Sequence, residues 1–183
     1  MSSGVGISVY LDTAACVMPT PKQFELPGGG QLHYLEQGQG QLVLLLHGGM
    51  GDCFSWSPQI DAMAADFHVI SYSRYASYPN QNPPRQATHP IILDVADLTA
   101  FHDGVQRGAA NLVGVSYGAL LALLYARQHP EKILSLTLVE PPLHQWACRA
   151  PAGAVLYEQF MTTAWTPARY AFSQGDELRA VHL

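Results

Sequence analysis

The chain has 183 residues, 48% apolar and only 13% charged, against about 25% charged in an average globular domain. That excludes a disordered chain and fits a single domain, with or without a short appendage, that buries roughly two-thirds of its unfolded surface. Nine Lys and Arg against 14 Asp and Glu give a net charge of −5, and the basic residues are scattered, so no cationic stripe is available for nucleic acid.

Residues 1–22 read as an N-terminal extension. The first 18 are mildly apolar but have no basic n-region and contain Asp12, which argues against a signal peptide. No apolar run approaches the ~18 residues that cross a bilayer, so a soluble, cytoplasmic protein without a membrane span is expected. Cys16, Cys53 and Cys148 are widely spaced with no C-x-x-C pair, which indicates neither a zinc site nor a disulfide framework. They are expected to be buried free thiols.

Residues 24–26 and 31–36 alternate apolar and polar around Pro27-Gly28-Gly29-Gly30, predicting two short antiparallel outer strands. Four apolar runs without clean alternation follow at 42–46, 67–72, 111–115 and 133–139, the texture of strands buried on both faces. Helical spacing separates them. The first such segment, 58–65, is brief. The second, 91–106, places Leu93, Ala96, Leu98, Ala100 and Phe101 near one side and Asp94, Asp97 and Asp103 largely opposite. The third, 117–128, is apolar almost all round and predicts a central buried helix ending near His129-Pro130. This alternation specifies an α/β fold with a mostly parallel sheet and helices on both faces. The loop 73–90, rich in Pro, Asn and Gln, is too long for a plain connector and is expected near the working face. After Pro141-Pro142 ends the last strand, 143–183 carries Trp146, Tyr157, Phe160, Met161, Trp165, Tyr170 and Phe172 on weakly helical patterns. No internal repeat or low-complexity tract is present.

The strongest chemical signal is Gly114-Val115-Ser116-Tyr117-Gly118, a G-x-S-x-G between an apolar strand and a buried helix. A sharp turn there forces Ser116 into a strained conformation and lifts its hydroxyl above the sheet, with glycines on both sides relieving crowding. The helix N-terminus favours developing negative charge, so the Tyr117 N–H is a candidate oxyanion donor. The plainer alternative is that Ser116 only caps the helix. A second signal, His47-Gly48-Gly49-Met50-Gly51-Asp52, follows the strand at 42–46. Its glycines let the Gly49 or Met50 N–H approach a substrate oxygen and complete a two-donor hole with Tyr117. His47 is expected to brace this loop by hydrogen bonds rather than act as a base.

These blocks, LLLHGGMGD at 44–52 and LVGVSYGALLALLYARQHPEK at 112–132, together with LSLTLVEPP at 134–142, make the chain resemble the α/β-hydrolase superfamily over about residues 24–183. Ser116 at the nucleophile position disfavours the Asp-nucleophile members such as haloalkane dehalogenases. The resemblance implies that the runs 42–46, 67–72, 111–115 and 133–139 are the family's third to sixth strands, that 23–142 is the N-terminal part of the core, and that 143–183 is a partial helical cap. It also implies a catalytic acid and histidine beyond the cap, in the order Ser, acid, His. Residue 183 falls where the cap is still running. The expectation is therefore a truncated sheet lacking its last strands, with acid and base missing. Losing the histidine alone costs about 10⁶ in turnover in a comparable serine hydrolase.

Within the chain, Glu140 is a candidate acid, its alternative being a strand terminator bonded to nearby backbone, while His144 and His182 are candidate bases. His33, His68, His89, His102 and His129 read as surface or core residues, with no metal-ligand spacing. No cofactor and no metal are expected. The strand 133–139 would be an unprotected apolar edge, which predicts self-association. The expected function is a serine hydrolase acting on an ester or related acyl compound, with a small apolar or ester substrate. The alternatives are an inactive fragment or pseudoenzyme that binds an apolar ligand or a protein partner, and an incomplete gene product whose longer form is the enzyme.

Overall fold

A computed structural model describes residues 19–85, 90–105 and 108–181. The extension expected over 1–18, with Cys16, lies outside the described residues, as do His89 and His182.

Six strands form one mixed sheet: β1 (Lys22–Glu25), β2 (Gln31–Gln37), β3 (Gln41–Leu46), β4 (Phe67–Tyr72), β5 (Ala110–Val115) and β6 (Ile133–Val139), in the order β1-β2-β4-β3-β5-β6. β1 and β2 pair antiparallel, and β2 joins β4 antiparallel. From β4 through β3 and β5 to β6 every pairing is parallel, so each connection there needs a crossover. The crossovers are α1 (Ser57–Met63), α2 (Pro90–Val105) and α3 (Tyr117–Gln128).

The lack of alternation in β3 reflects burial on both faces. Leu42, Leu44 and Leu46 pack with Leu98 and Phe101 of α2 and Leu121 and Tyr125 of α3, while Val43 and Leu45 turn the other way onto Ile60 of α1 and onto Cys53 in the 3-10 turn before it. Each fully buried leucine contributes about 1.5–3 kcal/mol. Because α1 lies on one face and α2 and α3 on the other, the C-terminal ends of β3, β4 and β5 form a rim that no crossover covers, and the loops after those strands meet there.

Two expectations need correction. The buried stripe of α2 is Val95, Leu98, Phe101 and His102, whereas Ala96 is exposed, and Asp97 is buried rather than outward. Asp97 tolerates burial because the Arg85 guanidinium lies 2.7 Å from its carboxylate. Cys53 is buried and free as expected, but Cys148 is free and only half-buried.

After β6 the chain turns into α4 (His144–Ala147), α5 (Pro151–Phe160), α6 (Thr166–Ser173) and α7 (Glu177–Val181). A π-helical turn over Met161–Trp165 joins α5 to α6. Pro167, one residue beyond Thr166, has no N–H to donate to the preceding turn. β6 is the last strand of the sheet, with Leu134 and Val139 exposed. Among the described residues no helix is long and apolar enough to cross a membrane.

Candidate active site

The turn from β5 into α3 holds Ser116 at φ 51° and ψ −118°, a region sparsely populated by residues with a Cβ. Three hydrogen bonds enforce it. The Ser116 N–H donates to the Val139 carbonyl of β6 at 2.8 Å, and the Ser116 carbonyl accepts from Ala119 and Leu120 at 3.0 and 3.1 Å. Gly114 and Gly118 permit the bend. A Cβ at Gly114 would lie 2.4 Å from the Gly118 carbonyl oxygen, and one at Gly118 would lie 2.2 Å from the Leu46 carbonyl oxygen.

The Ser116 side chain makes no capping bond to α3, so the plain capping role is not realised. Ser116 is exposed, and among the described residues no His or carboxylate bonds its hydroxyl. Tyr117 is the first residue of α3, so its N–H has no partner within the helix.

The loop after β3 lies beside this turn, since a Cβ at Gly48 would sit 3.7 Å from Ser116 Cβ. Its shape comes from a dense set of hydrogen bonds. The Gly48 carbonyl accepts from the Gly51 N–H at 3.2 Å, from His47 Nδ1 at 2.8 Å and from Arg74 Nη2 at 2.9 Å. The same Arg74 nitrogen donates to the Gly49 carbonyl at 2.9 Å. Asp52 caps the 3-10 turn Cys53–Trp56 through the Phe54 N–H, and Ser73 Oγ accepts from the Cys53 N–H at 2.9 Å, tying this loop to the one after β4.

His47 is buried and braces the loop. Its Nε2 accepts from the Arg74 N–H at 3.1 Å, so the ring proton sits on Nδ1 and is donated to Gly48. Burial, reinforced by the Arg74 charge, pushes its pKa down to about 4. The unfolded chain, with a value of 6.5, therefore binds more protons than the folded one between those limits. Stability is expected to fall as pH drops from 6.5 towards 4, with a slope from this group approaching about 1.4 kcal/mol per pH unit. Urea melts at pH 7, 6, 5 and 4 check this, and His47→Gln is expected to flatten the trend.

Two residues that the sequence did not single out complete the site. Arg74 and Asp94 lie 3.6 Å apart with side chains 13% exposed each. The Tyr117 hydroxyl donates to Asp94 at 2.7 Å, and the Arg74 guanidinium sits 4.4 Å from the centre of the Tyr117 ring. Burial and the Asp94 carboxylate together hold the Tyr117 phenol protonated well above its usual range. Asp94 is thus turned inward, against the outward placement expected from helical spacing.

Two cavities are lined by residues of α3 and of the loops around it. One, of about 550 Å³, is lined by Gly49 and Tyr117 together with Arg74, Tyr75, Asn80 and Asp94. The other, of about 580 Å³, lies between α3 and the helices after β6 and is lined by Leu120, Leu143, Trp146, Phe160, Met161 and Trp165. Gly49 and Tyr117 share the first cavity, while Met50 stands at the loop tip with its side chain in solvent.

None of the remaining described candidates bonds Ser116. Glu140 follows β6 at φ 49° and is exposed. Its carboxylate makes no hydrogen bond or ion pair among the described residues, so the expected bond to nearby backbone is not formed. His144 stacks on Phe160, ring centres 5.6 Å apart, in the second cavity rather than against Ser116. His102 joins Tyr125 to Gly108, His33 bonds Asn80, His68 bonds Glu36 and His129 bonds Thr99. Among the described residues no group of three or more His, Cys, Asp or Glu could hold a metal ion.

The profile of a family described as alpha/beta hydrolase fold matches residues 41–166. Bifunctional epoxide hydrolase 2 of Rattus norvegicus is 28% identical over 116 residues, covering 63% of this chain and 21% of that protein. Cis-3-alkyl-4-alkyloxetan-2-one decarboxylase of Shewanella oneidensis is 26% identical over 165 residues, covering 82% of this chain and 51% of that protein. An epoxide hydrolase structure from Bacillus megaterium superposes with a TM-score of 0.65 at 26% identity, over 71% of this chain and 46% of that one. The chain therefore spans about half the length of these relatives, or less.

Proposed function

The chain belongs to the alpha/beta hydrolase fold family, and from that premise we propose that it carries the nucleophile and oxyanion hole of a serine hydrolase acting on ester or related acyl substrates. Ser116 Oγ bonds to the acyl carbon, the leaving-group oxygen departs with a proton, and water then cleaves the acyl-serine ester. The Tyr117 N–H and the Gly49 or Met50 N–H hold the negative oxygen that forms in between. The observation that carries this reading is Ser116 itself, strained at positive φ, exposed and not spent as a helix cap.

The epoxide chemistry in the relatives' names is set aside on chemical grounds. A serine oxygen that opened an epoxide would leave an ether on the enzyme, which water does not cleave. The same oxygen on an acyl carbon leaves an ester, which water does cleave. The apolar cavity between α3 and the later helices suits an apolar portion of such a substrate. With no base bonded to Ser116 among the described residues, acylation by this chain alone is expected to be slow.

The test is incubation with an alkyl fluorophosphonate, with peptide mass analysis to locate the adduct, alongside hydrolysis of p-nitrophenyl butyrate. A single adduct at Ser116 is the expected result. A folded sample that takes up no label and releases no nitrophenol would instead identify a catalytically silent binder.

A further inference from the structure

We propose that Arg74 is the positioning residue of the oxyanion loop: its guanidinium clamps the Gly48 and Gly49 carbonyls and thereby aims the N–H groups of Gly49 and Met50. This rests on the reading of Ser116 as nucleophile, and it names a residue outside the G-x-S-x-G and His-Gly-Gly motifs.

In a trans peptide the carbonyl of one residue and the N–H of the next point in opposite directions in one rigid plane. Fixing the Gly48 carbonyl fixes the Gly49 N–H, and fixing the Gly49 carbonyl fixes the Met50 N–H. The first plane is held three times over, by Gly51, His47 and Arg74. For the second plane, Arg74 supplies the carbonyl's partner. Glycine places little restraint of its own on these planes, so removing Arg74 frees the second while the first keeps two of its donors.

The guanidinium is itself immobilised from the other side. Asp94 faces it at 3.6 Å, the Tyr117 ring lies beneath it, and the Tyr117 hydroxyl fixes Asp94. Tyr117 also supplies the candidate donor at the start of α3. One charged group therefore links the loop carrying one half of the hole to the residue carrying the other half, the two N–H groups of its Nη2 serving both carbonyls.

The test compares wild type with Arg74→Met, Arg74→Lys and the double variant Arg74→Met/Asp94→Asn, which avoids leaving a buried carboxylate without its partner if the single variant fails to fold. Two readouts are taken. The first is the saturation curve for Ser116 labelling by a neutral fluorophosphonate. The maximal rate is expected to fall about 10- to 100-fold in the Met variants, up to the effect of losing one oxyanion donor. The half-saturating concentration should stay unchanged, and Lys should recover part of the rate. The second is hydrogen–deuterium exchange, in which a peptide over 47–52 is expected to exchange faster in the Met variants while one over β3 does not. Unchanged loop exchange in a folded Met variant overturns the clamp, as does a maximal rate equal to wild type. If wild type takes no label, the serine-hydrolase reading fails, and the exchange measurement alone still decides the role of Arg74.

Discussion

Ser116→Gly is expected to raise the melting temperature while removing all labelling at that position. Ser116 sits at φ 51° and ψ −118°, and holding a residue with a Cβ in so sparse a region costs on the order of 1–3 kcal/mol. Glycine relieves that strain and gives back about 0.4–1 kcal/mol through the greater freedom of the unfolded chain. The net gain is on the order of 1 kcal/mol, or about 2–4 °C for a chain of this size. Ser116→Ala keeps the Cβ and hence the strain. Since the hydroxyl makes no capping bond, that variant should melt within about 2 °C of wild type, inside the about ±0.5 kcal/mol of substitutions that touch nothing. If Ser116 were a helix cap, alanine would instead cost about 0.5–2 kcal/mol and glycine a few tenths. Both variants should lose whatever ester hydrolysis Ser116 supports, a loss well below the about 10⁶-fold of a complete triad, because no base bonds Ser116 among the described residues. Calorimetry of the pair separates the two accounts of Ser116, because they predict opposite signs for glycine.

The backbone of this arrangement was legible in the sequence because its signals are local. Tyr117–Gln128 is helical over the residues expected, ending at His129, and Leu42 to Leu46 needed no partner to announce burial on both faces. The bend at Ser116 could likewise be read from glycines two residues either side. The position of β4 between β2 and β3 is different, since pairing order depends on which strands meet through space. Arg74, Asp94 and Asp97 were missed for a related reason. On α2 alone a carboxylate belongs on the wet side, and only an arginine delivered by the loop 73–90 makes it better placed inside. That loop was recognised as functional by its length, but nothing in its composition distinguished Arg74, which reaches the backbone of the β3 loop, from Arg85, which faces Asp97 on α2.

Gly118→Ala is expected to be strongly destabilising. Its Cβ would meet the Leu46 carbonyl oxygen at 2.2 Å, the His47 carbonyl oxygen at 2.5 Å and the Leu46 carbonyl carbon at 2.7 Å. All three atoms are backbone, so no side-chain rotation provides relief, and the N-terminus of α3 must move off the end of β3. Gly114 resists that movement, because its own α-carbon already faces the Gly118 carbonyl with no space for a Cβ. The cost should reach the upper end of overpacking penalties, about 3 kcal/mol or more, which is roughly 6–12 °C. The displacement also separates the two halves of the proposed oxyanion hole, since Tyr117 rides on α3 while Gly49 and Met50 ride on the loop after β3. Labelling of the folded fraction should therefore fall with stability. Gly48→Ala is the matched control for the steric argument: its Cβ would find nothing nearer than 3.7 Å, so its melting temperature should stay within about 2 °C of wild type, the span of a surface-like substitution. Equal melting temperatures for Gly118→Ala and Gly48→Ala would mean that α3 does not press on the end of β3, and the geometry that presents Ser116 would lose its support.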